Sequence, residues 1–337
     1  GTCVATAVAL GTPTTADNCS VATVTNDASE PFALGDTTVT WTVTDGSGNT
    51  ETCTQTITVT DNIDPTITCP ADVAVDVDAG LCTASGVALG TPTTADNCSV
   101  ASVTNDAAEP FALGDTTVTW TVTDGSGNTE TCTQKIIVTD NIDPTITCPA
   151  DVAVDVDAGL CTASGVALGT PTTADNCSVA SVTNDASEPF ALGDTTVTWT
   201  VTDGSGNTET CTQKITVTDN IKPTITCPAD VAVNVDAGTC VATAVALGTP
   251  TTADNCSVAT VTNDASEPFA LGDTTVTWTV TDGSGNTATC TQTITVTDNI
   301  DPTINCPADV AVNVDAGTCV ATAVALGTPT TADNCSV

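Results

Sequence analysis

Asp115-Thr-Thr-Val-Thr-Trp-Thr-Val-Thr-Asp124 alternates apolar and polar residues without a break. Val118, Trp120 and Val122 fall on one face; Thr117, Thr119, Thr121 and Thr123 fall on the other. That period of two is the pattern of an antiparallel strand with one face buried. Asp72-Val-Ala-Val-Asp-Val-Asp78 repeats the pattern with Val73, Val75 and Val77 inward. From Thr131 to Thr139, Ile136 and Val138 face inward and Lys135 and Ile137 outward. Val87 with Leu89, and Ala101 with Val103, add two shorter strands. No segment has helical periodicity, and β-branched Thr and Val dominate. Gly90-Thr-Pro92, Asp96-Asn97, Asn105-Asp106, Leu113-Gly-Asp115 and Asp124-Gly-Ser-Gly-Asn128 supply the turns. About seven short strands in such a length predict a two-sheet, immunoglobulin-like β-sandwich with Trp120 at its centre.

The same stretch returns every 79 residues, so the 337-residue chain holds about 4.3 copies. The copies are read as 66–144, 145–223 and 224–302, with partial copies at 1–65 and 303–337. Residues 66–144 and 145–223 differ at three positions, Ala108/Ser187, Ile137/Thr216 and Asp143/Lys222. Ile137 faces outward, so its replacement by Thr216 is expected to be tolerated. Gly1 shares the phase of Gly80, and Val337 that of Val100, so the chain reads as a window on a longer tract. Any leader or anchor is expected outside it. Successive copies are joined by segments such as Val138-Thr-Asp-Asn-Ile-Asp-Pro-Thr-Ile-Thr-Cys-Pro149. Pro144 restrains this joint, which is far shorter than a flexible Gly/Ser tether, and an extended rod is expected.

A 79-residue unit is small for a self-sufficient core. Each full unit carries four cysteines, and the chain holds 18. There is no C-x₂-C pair and no histidine, so disulfides are favoured over zinc, placing the chain in an oxidising compartment. Four cysteines allow three connectivities, and spacing alone does not choose among them. The net charge is −38, about nine negative charges per repeat, against three lysines, Lys135, Lys214 and Lys222. Such a surface repels phosphate backbones and anionic membranes, so nucleic-acid partners are excluded. No apolar run is long enough for a spanning helix, so no membrane insertion is expected. Catalysis has little to work with: there is no His or Tyr, and carboxylates such as Asp76 and Asp78 lie on exposed alternating positions. No enzyme is expected.

Ile146-Thr-Cys-Pro149, Asp175-Asn176, Phe190-Ala-Leu-Gly193, Thr196-Val197, and Asp203-Gly-Ser-Gly-Asn207 followed by Cys211 resemble the hyalin repeat, or HYR domain. The resemblance covers the whole chain. It implies an immunoglobulin-like fold and roles in extracellular adhesion at a cell surface. The near-identical array is also similar to giant surface adhesins of Bacteroidetes type. Animal members that keep only the Cys-Pro cysteine and the late one imply the pairs Cys69–Cys132, Cys148–Cys211 and Cys227–Cys290. The remaining cysteines would then pair as Cys3–Cys19, Cys82–Cys98, Cys161–Cys177, Cys240–Cys256 and Cys319–Cys335. Cys53 and Cys306 would find partners outside the window. Parallel first and last strands at one edge of such a sandwich agree with the longer pairs.

In that topology three acidic or amide-rich segments meet at one pole of each unit: the incoming linker, the Asp96-Asn97 loop and the Asp124–Asn128 loop. Ca²⁺ takes six to eight oxygen ligands of this kind. The candidate ligands are Asp61, Asn62, Asp96, Asn97, Asp124 and Asn128 at one pole. They recur as Asp140, Asn141, Asp175, Asn176, Asp203 and Asn207, and as Asp219, Asn220, Asp254, Asn255, Asp282 and Asn286. The plainer alternative is that turns simply use Asp, Asn and Gly. Lys222 replaces the Asp of the other linkers, so that position is not an obligatory ligand. Asp36-Thr-Thr38 and its copies resemble a Bacteroidetes O-glycosylation motif, with Thr37, Thr116, Thr195 and Thr274 as acceptors; the alternative is a turn opening a strand. Asn97-Cys-Ser99 and its copies match N-x-[ST] formally, but their middle residue is a bonded cysteine in this reading.

The expected function is an extracellular structural or adhesive stalk or surface filament. Its partners are neighbouring repeats, other copies in a fibre, and a surface or glycan ligand reached through regions outside this window. A self-associating matrix protein is the first alternative and would require exposed sheet edges. A carbohydrate-binding array is the second and would require an aromatic platform, which one Trp and one Phe per repeat hardly supply.

Overall fold

The computed structural model describes residues 2–335, and every regular element among them is a strand. By internal contacts the chain forms two compact units. The first comprises 1–147 with 172–183 and 200–210; the second comprises 148–171, 184–199 and 211–337. Residues 66–144 lie wholly in the first and 224–302 wholly in the second, and each shows the complete repeat.

In residues 66–144 the strands are β1 (Thr66–Thr68), β2 (Val73–Asp76), β3 (Thr83–Ala84), β4 (Thr93–Ala95), β5 (Val100–Asn105), β6 (Phe111–Ala112), β7 (Gly114–Asp124) and β8 (Thr129–Thr139). One sheet has the order β2-β8-β7-β5. The long hairpin β7/β8 pairs Trp120 with Cys132 and Val118 with Gln134. β2 runs parallel to β8, with Val73 opposite Ile136 and Val75 opposite Val138. The opposing layer is two short antiparallel pairs, β1 with β4 and β3 with β6. Between the layers lie Val77, Ala84, Phe111, Val118, Trp120, Ile136 and Val138, all buried. The second unit repeats this order, pairing and core, with Trp278 in the place of Trp120. The alternation read from the sequence therefore places the inward side chains correctly on β2, β7 and β8.

Two features depart from the expected pattern. No strand forms at Val87 and Leu89. Side chains satisfy the backbone there instead: Gly86 and Val87 donate their amides to Glu109 at 2.9 and 2.8 Å, and the Leu89 carbonyl accepts from Gln134 at 2.9 Å. A segment served in this way needs no ladder partner. The second feature is Gln134 itself, which is 1% exposed. Its Oε1 accepts from Trp120 Nε1 at 3.0 Å, and its Nε2 donates to the carbonyls of Ala71 and Leu89 at 2.7 and 2.9 Å. One side chain thus ties the indole, the start of β2 and the crossing segment together. Gln213 and Gln292 make the same three bonds.

Replacing Gln134, Gln213 and Gln292 with Leu keeps the volume but leaves an indole N–H and two carbonyls unpaired in every full repeat. Each repeat is expected to lose about 2–4 kcal/mol, since a buried polar group without a partner costs about 1–3 kcal/mol. Urea unfolding of the full chain checks this: the triple variant should unfold at a clearly lower midpoint than the parent.

Candidate functional site

The poles of the sandwiches concentrate the acidic residues that the alternation leaves over. At the pole built from Asp140, Asp175 and Asp203, one carboxylate oxygen of each lies within 4.8 Å of the others. Asp203 opens the Asp203-Gly-Ser-Gly-Asn207 hairpin. Its Oδ1 accepts from the amides of Ser205, Gly206 and Asn207 at 2.9, 2.6 and 2.7 Å, and its Oδ2 from Asn207 Nδ2 at 2.7 Å. The turn depends on glycine at two places. Gly206 has φ +98°, and a Cβ on Gly204 would sit 2.7 Å from Ser178 Oγ. Burial would push the Asp203 carboxyl up, but the side-chain amide of Asn207 and the backbone amides of Asn207, Gly206 and Ser205 together hold it below the ordinary value of 3.8. Asp124 and Asp282 are lowered against burial in the same way.

Asn207 does a second job. Its Nδ2 donates to the linker carbonyls of Asp140 and Ile142 at 3.1 and 3.4 Å, which clamps the incoming chain against the hairpin. Asn128 and Asn286 clamp their linkers identically. Asn176 reaches further. It donates to Asp140 Oδ1 at 3.2 Å and to the Leu81 carbonyl of the preceding repeat at 3.0 Å. Asn255 bonds the Leu160 carbonyl and Asn334 the Thr239 carbonyl, each 95 residues earlier.

These amides leave part of the oxygen set without donors. Asp140 is 8% exposed, and its Oδ2 has no hydrogen-bond partner; neither do Asp175 Oδ1 and Asn176 Oδ1. The equivalent atoms of Asp219, Asp254 and Asn255, and of Asp61, Asp96 and Asn97, are in the same state. Asp219, Asp254 and Asp282 also converge within 4.8 Å. At the first pole the matching group is Asp61, Asp96 and Cys98, whose sulfur is already bonded, so only two carboxylates meet there. Buried oxygens without donors are costly. Carboxylates and an amide carbonyl, with no lysine in the set, are donors that suit a hard cation. Of the other residues expected here, Asn62, Asn141 and Asn220 are exposed, and Asn128, Asn207 and Asn286 serve as clamps through their nitrogens. Thr37, Thr116, Thr195 and Thr274 are half-buried near the start of the long strand, on the same parity as its buried valine.

The disulfides correct half of the expected pattern. Cys69–Cys132, Cys148–Cys211 and Cys227–Cys290 are bonded within their repeats, each 63 residues apart. A loop of that size contributes about 4 kcal/mol by restricting the unfolded chain. The pairs Cys3–Cys19, Cys82–Cys98, Cys161–Cys177, Cys240–Cys256 and Cys319–Cys335 do not form. Instead Cys3 is bonded to Cys98, Cys82 to Cys177, Cys161 to Cys256 and Cys240 to Cys335, each across 95 residues. Cys19 and Cys319, like Cys53 and Cys306, are unpaired and exposed. The reason is the path of the chain from Cys82 to Cys98. β3 starts beside Cys82, and β4, just before Cys98, pairs with β1 at the linker end of the repeat. The two cysteines therefore face opposite neighbours, Cys98 the preceding repeat and Cys82 the following one. The staple sits against the acidic pole, since Asp175 Oδ2 accepts from the Cys177 amide at 2.8 Å and Asn176 lies next to the bridge.

The lowered carboxyls set a pH dependence. A carboxyl whose folded value is depressed contributes stability that is present above its ordinary value and lost as pH falls through the lower folded value. Changing Asp124, Asp203 and Asp282 together to Asn removes that contribution. The melting-temperature gap between parent and variant should be widest near neutrality and shrink below about pH 4. A gap that stays constant into acid would contradict the role given to these three groups.

The repeats match the HYR domain family model at residues 4–59, 60–138, 139–217 and 218–296. Hyalin from Lytechinus variegatus is 35% identical over 340 residues, covering 91% of this chain and 62% of that protein. Hyalin from Strongylocentrotus purpuratus is 32% identical over 329 residues, covering 90% of this chain and 27% of that protein. The chain thus spans less than two thirds of either relative. Among solved structures, the protocadherin GammaB4 extracellular domain aligns with 87% of this chain and 61% of its own at a TM-score of 0.35 and 14% identity. With four matched repeats covering most of its length, the chain belongs to the HYR domain family.

Proposed function

We propose that this chain is an extracellular structural and adhesive tract whose joints are set by Ca²⁺. The observation that carries the reading is the repeated junction: unpaired, buried carboxylate oxygens converge beside a covalent staple between consecutive repeats. Oxidised cysteines fit a compartment outside the cytosol. The relatives are named hyalin, and a surface stalk or filament of near-identical repeats is the finer form of this reading. A Ca²⁺ ion would be held by Asp140, Asp175, Asn176 and Asp203, or by Asp219, Asp254, Asn255 and Asp282. It would neutralise carboxylates that otherwise repel one another within a Debye length, about 8 Å at physiological salt. The Asn207-type amides already hold the linker against the hairpin, so the ion would complete a joint that is largely formed.

One observation favours lateral self-association as a second reading. β5 is the edge of its sheet, and all six of its residues are exposed, as are those of its copies Val179–Asn184 and Val258–Asn263. An open edge of that kind can template pairing with another copy.

Calorimetric titration and melting of the full chain in EDTA, Ca²⁺ and Mg²⁺ test the proposal. Ca²⁺ at about a hundredfold over its dissociation constant should stabilise a binding repeat by about 2.7 kcal/mol. Mg²⁺ should do less, because it demands a tighter octahedral shell. Asp140→Asn and Asp219→Asn should each remove one binding event. The site at Asp219, three residues from Lys222, should be the weaker of the two. If EDTA and Ca²⁺ give identical melting and no heat of binding, the poles are ordinary turns.

A further inference from the structure

We propose that the chain is a load-bearing tether in which tension bypasses most of each sandwich, its long hairpin included. The inference rests on the order of the staples along the chain and is independent of any bound ion. The four inter-repeat bridges close the overlapping loops 3–98, 82–177, 161–256 and 240–335. Each loop overlaps the next from one cysteine to another 16 positions on, as from Cys82 to Cys98. The shortest covalent route from Cys3 to Cys335 therefore avoids most of the backbone. It crosses from Cys3 to Cys98, runs backward to Cys82, crosses to Cys177, runs backward to Cys161, crosses to Cys256, runs backward to Cys240 and crosses to Cys335. Only three 16-residue links of polypeptide lie on it.

The native fold already orients each link for this load. Cys98 faces the preceding repeat and Cys82 the following one, so pulling on the ends draws the link along the direction it takes in the sandwich. The hairpin β7/β8, Trp120, Gln134 and the Cys69–Cys132 bridge all lie off the route. At 3.3–3.6 Å per residue the three links and their bridges reach roughly 190 Å at full stretch. The same span of reduced chain reaches roughly 1,100 Å or more. Oxidised, the chain cannot lengthen past that limit. Reduction by a small thiol frees that length one bridge at a time; two reductant thiols give up two electrons and two protons to each bridge and leave as their own disulfide.

Single-molecule stretching of the full chain tests this, with handles at the two ends and the exposed thiols Cys19, Cys53, Cys306 and Cys319 alkylated. The oxidised chain should stop at roughly 190 Å without repeat-sized steps, and the reduced chain should run on to roughly sixfold that length. Replacing Cys82 and Cys177 with Ser lengthens the route from Cys98 to Cys256 from 32 residues to 63, so the limit should rise by about 105 Å. Replacing Cys148 and Cys211 with Ser weakens a repeat but removes nothing from the route, so the limit should stay where it was. Repeat-sized lengthening of the oxidised parent, or an unchanged limit in the Cys82→Ser, Cys177→Ser variant, would overturn the proposal.

Discussion

A bond between Cys82 and Cys177 holds two α-carbons 4.7 Å apart although 95 residues separate them. That constraint organises the joint around it. With the end of one repeat fixed against the pole of the next, Asn176 is placed to reach back to the Leu81 carbonyl and sideways to Asp140. Asn207 holds the linker backbone from the other side. Three carboxylates are then brought together at a place where the chain, despite its −38 charge, offers no lysine to separate them. Acidic residues that would ordinarily repel are packed side by side because the staple and the two amides leave them nowhere else to go.

Within a repeat, stability is divided between a thin apolar core and polar fasteners. The core is Trp120, Phe111 and a few aliphatics, which is little for a unit of this size. Gln134 and Glu109 compensate by satisfying backbone groups that a second full sheet would otherwise pair. The opposing layer can therefore consist of two-residue and three-residue strands without leaving amides exposed to an apolar interior.

The long strands were legible because alternation is a physical signature of one buried face, and Asp115–Asp124 and Thr131–Thr139 carry it without interruption. Gln134 carried a weaker signal: it stands on the inward parity of Ile136 and Val138, where a polar side chain must find partners. The segment at Val87 and Leu89 has strand-like residues but takes its hydrogen bonds from Glu109 and Gln134, which no local pattern reveals. The carboxylates of the pole were legible as turn residues at the ends of strands, although the clamping role of Asn207 was not. The inter-repeat pairing was hidden by the repetition itself. Separations of 16 and 95 residues differ by one period of 79, so Cys82 sees identical surroundings at Cys98 and at Cys177. Only the direction of the chain between Cys82 and Cys98 separates the two, and that is a property of the folded sandwich.

The junction account stands or falls on that pairing. Protease digestion of the oxidised chain under non-reducing conditions, followed by mass spectrometry of the linked peptides, reads it directly. The account predicts a peptide joining a Gly-Leu-Cys segment to Cys-Ser-Val-Ala-Thr, the pairing of Cys161 with Cys256, together with Cys148 joined to Cys211 inside one repeat. A peptide joining a Gly-Thr-Cys segment to Cys-Ser-Val-Ala-Thr, the pairing of Cys240 with Cys256, would contradict it, because the repeats would then be stapled singly and the joint would lose the bond that assembles it.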